Sequence, residues 1–173
     1  MKFLIAIIAL LGVFLTHAQA NDNIRINNSG NRGSNIYQNV NINNQNNVAN
    51  INNLNGCNSW NSVCDYGRGY AATRLFKKKM CIITKMKKDT FPTLAQLSAV
   101  SKNPNQVPPN TQMVTYTINQ TPIINIGEYG EHISSLCKGV PTYTALEMPE
   151  FGEGFGLCSA SSIITILGIT LCF

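Results

Sequence analysis

Histidine is nearly absent from this 173-residue chain, with only His17 and His132. Charge is sparse as well, at 12 % of positions, and acids are the scarcer sign, 8 against 13 Lys and Arg. No apolar run reaches the roughly 20 residues that a membrane-spanning helix needs. The longest, residues 3–15 (FLIAIIALLGVFL), follows Lys2 and ends in the small-residue stop Ala18-Gln19-Ala20. That pattern predicts a secretory signal over residues 1–20, an extracellular destination and no membrane span. Removing it leaves 12 Lys and Arg against 8 acids, a net charge of +4, and His132 as the one remaining histidine. A multi-histidine metal centre is thereby excluded, and export argues against nucleic acid as the partner of the basic runs. No metal or cofactor is expected.

All six cysteines, Cys57, Cys64, Cys81, Cys137, Cys158 and Cys172, lie beyond the signal. An even number in an oxidising compartment reads as three disulfides, with about fifteen pairings open. Zinc would need clustered CxxC or Cys/His pairs, and the nearest spacing, Cys57 to Cys64, fits none.

Behind the signal the chain divides into residues 21–55, 56–151 and 152–173. The first holds 16 Asn in 35 positions, with Ile26-Asn27-Asn28, Ile42-Asn43-Asn44 and Ile51-Asn52-Asn53 recurring at irregular spacing. Ile36, Val40 and Ile42 share a parity before a polar NNQNN turn, with Val48, Ala49 and Ile51 after it, which predicts a β-hairpin. An Asn-rich disordered tail is the competing reading. In the second zone, residues 70–76 and 80–86 read as strands joined by Lys77-Lys78-Lys79. A helix is expected over 92–102 from Leu94, Leu97 and Val100, with Pro92 in its first turn and Asp89 or Thr90 as its cap. Residues 113–118 alternate as a half-buried strand. Ile126, Ile133 and Leu136 fit one face of a second helix, stopped by Gly139 and Pro141. Residues 140–146 return to strand, and the apolar run SIITILGITLC reads as one buried strand closed by Cys158 and Cys172. A lipid-anchor tail would need a polar spacer that this run lacks. The expected class is α+β: one sheet flanked by two helices in the order β-β-α-β-α-β-β, with the N-terminal Asn-rich hairpin added.

The segment CDYGRGYAATRLFKKKMCIITKM (64–86), with FPTLAQL (91–97), MVTYTIN (113–119) and LCKGVPTYTALEM (136–148), resembles the gastrokines and the wider BRICHOS family. The resemblance places the BRICHOS domain at 56–151 and maps that family's one-Asp, two-Cys signature onto Asp65, Cys81 and Cys137. It implies a Cys81–Cys137 bridge and a further Cys158–Cys172 pair. In some gastrokines a cysteine near position 57 joins a trefoil-factor peptide. Here Cys64 offers Cys57 a local partner, and the internal bridge is the favoured reading. The family further implies a secreted, non-enzymatic product of gastric mucosa that tunes epithelial proliferation and mucosal integrity by holding extended β-prone peptides or mucosal proteins in chaperone-like fashion.

Other features compete for a role. Asp65 before Tyr66-Gly67-Arg68-Gly69 reads as a turn residue, whereas the family implies an acid whose protonation changes assembly. Residues 65–102 carry nine Lys and Arg against Asp65 and Asp89. They form a solvated basic face, or one that attracts acidic mucin glycans. The same basic hairpin motivates the alternative of a membrane-active mucosal defence protein. Asn27 and Asn119 head glycosylation sequons, and Pro122 follows the second. Glu147, Glu150 and Glu153 are expected on a solvated loop. His132 is the one imaginable catalytic base, and no catalytic set forms around it.

Overall fold

The computed structural model describes residues 22–29, 35–54, 56–89, 91–102, 113–147, 163–166 and 169–172. Among them ten strands form one sheet: β1 (Asp22–Ser29), β2 (Asn35–Asn43), β3 (Val48–Leu54), β4 (Trp60–Asp65), β5 (Tyr70–Leu75), β6 (Met80–Lys85), β7 (Met113–Pro122), β8 (Thr142–Glu147), β9 (Ile163–Ile166) and β10 (Ile169–Cys172). Helix α1 spans Leu94–Lys102 and α2 spans Glu131–Cys137. The strand order is β1-β2-β3-β4-β5-β6-β8-β7-β10-β9. β1 to β6 form an antiparallel meander; β6 runs parallel to β8, and β7 parallel to β10. The α+β class, the central strands and the two helices agree with expectation.

Alternation divides the sheet into two apolar faces. Val40, Ile42, Ala49, Ile51, Trp60, Leu75 and Ile82 are buried on one, with Leu97 of α1 and partly buried Leu94 packed against them. Val48, Val63, Ala72, Cys81 and Ile83 are buried on the other, beneath Ile133 and Cys137 of α2. The hairpin expected in the Asn-rich zone is β2–β3. Its turn uses Asn47 at φ 53°, a left-handed conformation that Asn tolerates, and Asn43 Oδ1 accepts the Asn46 N–H at 3.0 Å. Far from trailing as a disordered tail, this zone supplies three strands and part of the core.

Several expectations need correcting. β1 and β4 are strands that the sequence pattern does not signal. Within β4, Trp60, Ser62 and Cys64 share the α1 face, but Ser62 hides the apolar alternation. Its buried hydroxyl is satisfied by the Ala72 carbonyl at 2.9 Å and by the Thr73 hydroxyl at 3.0 Å. α1 is capped by Thr93 rather than Asp89 or Thr90. Thr93 Oγ1 accepts the Gln96 N–H at 3.2 Å and Gln96 Oε1 accepts the Thr93 N–H at 2.8 Å, the reciprocal bonds of a capping box. The second helix is broken: a 3-10 turn over Ile126–Tyr129 precedes α2, and Gly130 at φ 105° separates them. The C-terminal apolar run is two antiparallel strands, β9 and β10, instead of one. Glu147 ends β8 and pairs with Lys87 at 3.1 Å, so it is not a loop residue. Glu150 and Glu153, the signal at 1–20 and Cys158 lie outside the described residues.

Candidate functional site

The chemistry expected of this chain gathers around α2. Cys81 in β6 and Cys137 at the end of α2 form a disulfide with their Cα atoms 5.4 Å apart, closing a sequence separation of 56. Both residues are fully buried. One strand away, Arg74 stands opposite Cys81 in register and donates to the carbonyls of Leu136 and Lys138, at 2.8 and 3.2 Å. A guanidinium on the last carbonyls of a helix satisfies acceptors that have no partner within it and opposes the negative end of its dipole. Gly139, at φ 80°, then ends the segment. Sequence reasoning anticipated the bridge and the stop but missed Arg74, because a cap delivered from a distant strand leaves no local signal.

The other end of α2 is met by the β4–β5 turn. Asp65 is 5 % exposed at the end of β4. Its Oδ1 accepts the Arg68 N–H at 2.9 Å and its carbonyl accepts the Gly69 N–H at 2.8 Å. The turn so fixed lays the Arg68 side chain against Gly130, where a Cβ would fall 2.6 Å from Arg68 Cδ and Nε. Gly130 is favoured there by its positive φ of 105°, a conformation that side chains rarely adopt. Tyr70 meets Tyr129 edge to face with ring centroids 5.1 Å apart, closing the same junction. Asp65 thus acts on the described structure as a turn residue that positions Arg68. Burial raises the Tyr129 phenol above its ordinary value, with the Tyr70 hydroxyl and the Glu128 carboxylate adding to the shift.

On the opposite face, Tyr66 donates its hydroxyl to the Pro92 carbonyl at 2.7 Å and so fixes the entry to α1. Burial, reinforced by the Cys64 thiol, holds that phenol well above the ordinary tyrosine range.

Cys57 and Cys64 are both free, which corrects the expected internal bridge. Cys64 lies in β4, where extended backbone rises about 13 Å from Trp60 to Cys64, away from the turn that holds Cys57. Cys57 is exposed in the 3-10 turn Gly56–Asn58, whereas Cys64 is buried in the core. Burial pushes the Cys64 thiol up to about 12, against a smaller downward pull from its hydrogen bond with Ser62. Cys172 lies in β10, and a pairing with Cys158 falls outside the described residues.

The remaining candidates do not converge on one place. Lys77, Lys78 and Lys79 are exposed in the β5–β6 turn, while Lys85, Lys87 and Lys88 are exposed at the other end of that hairpin. His132 is exposed on α2. Asn119 is exposed in β7, where its Oδ1 accepts the Thr121 N–H at 3.1 Å, and Asn27 pairs with Tyr37 within the ladder. Among the described residues no group of three or more His, Cys, Asp or Glu could hold a metal ion, and no helix is long and apolar enough to cross a membrane.

The BRICHOS domain family model matches residues 56–144, the segment that holds the Asp65 turn and the Cys81–Cys137 bridge, so the molecule is a BRICHOS-domain protein. The chain is 42 % identical to human gastrokine-1 (Homo sapiens) over 181 residues, covering 99 % of this chain and 97 % of that protein. It is 44 % identical to pig gastrokine-1 (Sus scrofa) over 185 residues, with the same coverage. To rat gastrokine-2 (Rattus norvegicus) it is 32 % identical over 179 residues, again across 99 % and 97 % of the two chains. The chain belongs to the gastrokine family. No solved structure matches it.

Proposed function

We propose that this protein is a secreted, non-enzymatic gastrokine of the gastric mucosa that supports mucosal integrity and restrains or tunes epithelial proliferation by binding extended, β-prone polypeptides. The observation that carries the reading is the likeness to gastrokines across nearly the whole chain, with the BRICHOS domain at its centre. The fold supplies a physical basis for it. A sheet takes up an extended peptide by main-chain hydrogen bonding at an edge, with alternate side chains setting specificity. In this chain β3 lies along β4, the first strand of the family-matched segment, in just that manner. The Asn-rich zone then stands as an internal occupant of the edge at which a foreign strand would add. Export is supported by the pattern of residues 1–20, and N-terminal sequencing of the mature protein should begin at Asn21.

The test is fibril growth of an amyloid-forming peptide followed by thioflavin fluorescence, with the full chain added below stoichiometric amounts. Slowed elongation supports the reading. Growth kinetics identical to those with an inert protein of the same size overturn it.

The exposed, unpaired Cys57 favours one partner in particular. An interchain disulfide with a cysteine-bearing peptide of the trefoil-factor kind would form there, since Cys64 is buried away from it. Non-reducing electrophoresis of mucosal material should show a mixed dimer that reduction dissolves and that Cys57→Ser abolishes.

A further inference from the structure

Strands β2 and β3 bury one apolar face, and the opposite face carries amides beside the buried Val48. Val40, Ile42, Ala49 and Ile51 fill the core, and the residues alternating with them are Asn39, Asn41, Asn50 and Asn52, all half-buried. Register aligns these across the sheet. Asn39 stands opposite Asn52, Asn52 opposite Asn61 of β4, and Asn41 opposite Asn50. Two rows of side-chain amides result, spaced about 4.8 Å from strand to strand and about 7 Å along each strand. Among the described residues none gives the Asn39, Asn50, Asn52 or Asn61 side chain a hydrogen bond. Each of these amides carries two N–H donors and an oxygen with two lone pairs.

We propose that this amide face binds an uncharged glycan. The face is matched to hydroxyl groups, which donate and accept together as side-chain amides do. Its charge is suited to a neutral ligand. In register, Arg25 pairs with Asn39 at one end of the longer row and Arg74 with Asn61 at the other. Arg74 is committed to the carbonyls that end α2, and no carboxylate falls in either row. A second copy of this chain fits less well, because a lasting protein interface needs an apolar centre and this face offers amides instead. The face needs β3 in its place on β4, whereas peptide uptake at that edge would displace β3, so the two uses are distinguishable.

The experiment is affinity chromatography of the full chain over immobilised neutral oligosaccharides ending in glucose, galactose, mannose or N-acetylglucosamine, beside sialylated and sulfated ones. Retention on at least one neutral chain is expected, unchanged by added salt. The variant Asn39→Ala, Asn52→Ala, Asn61→Ala should weaken it about tenfold or more, roughly the loss of one net hydrogen bond or greater. The pair Asn41→Thr, Asn50→Thr, which keeps strand-forming residues, guards against a folding defect and should weaken retention in the same direction. The proposal is overturned by no retention on any neutral chain, by equal retention of the variants, or by retention on acidic chains alone that salt abolishes. Self-association in sedimentation velocity that the triple variant removes, with no glycan retained, would assign the face to a second copy and overturn it equally.

Discussion

The two helices are attached to the sheet by different means. α2 is seven residues long, too short to persist alone, and is held covalently through Cys137, by Arg74 at its end and by the Arg68 contact at its start. α1, nine residues long, is held by burial of Leu97, by the Tyr66–Pro92 hydrogen bond and by its own capping box. A helix fixed by a bond and by charged hydrogen bonds keeps its place when one apolar contact is lost. A helix fixed by burial does not.

That contrast can be broken from either side. The largest effect is expected from Cys81→Ala with Cys137→Ala, which removes a cross-link worth about 4 kcal/mol for a loop of this length. Urea unfolding followed by far-UV circular dichroism would measure it, and a loss under about 1 kcal/mol would show that Arg74 and packing suffice. Leu97→Ala should cost about 3 kcal/mol in the same assay, since it empties a fully buried site under α1. Next comes a pH effect within the α1-side core. Burial pushes the folded Cys64 thiol up to about 12 from an ordinary value of 9.0, so above pH 9 the unfolded state releases a proton that the native state keeps. Stability should therefore be whole below pH 9 and fall above it by up to about 1.4 kcal/mol per pH unit. Cys64→Ala should flatten that slope in urea midpoints taken from pH 8.5 to 10.5, leaving the loss from the buried Tyr66 phenol above pH 10. Arg74→Ala should cost about 1.5 kcal/mol and lower protection of the amides in α2 against hydrogen exchange before those of α1. The smallest effect is a gain. Lys79 turns the β5–β6 hairpin at φ 50°, and Lys79→Gly should stabilise by about 0.5–1 kcal/mol, read as a small rise in melting temperature.

What the sequence made legible follows the same division. Local signals revealed β2, β3, β5 and β6, because alternation and a polar turn lie within a dozen residues. The resemblance supplied Cys81–Cys137, which no spacing could have resolved. The break at Gly130 leaves no pattern signal, because Ile126, Ile133 and Leu136 keep helical spacing across it. β4 escaped because Ser62 is buried and polar, and its hydrogen bonds come from a neighbouring strand. The expected Cys57–Cys64 bridge rests on closeness in sequence, whereas β4 carries Cys64 into the core and leaves Cys57 exposed in a turn.

The placement of β8 between β6 and β7 sets an order of assembly. Strands β1 to β6 each meet the neighbour just made, so the meander can zip up as the chain emerges. β7 has no such companion: both of its flanking strands, β8 and β10, come later in the chain. Cys137 emerges five residues before Thr142 opens β8. Oxidation at that moment would tether the incoming strand beside its berth on β6, making one covalent event the gate through which the second half of the sheet closes.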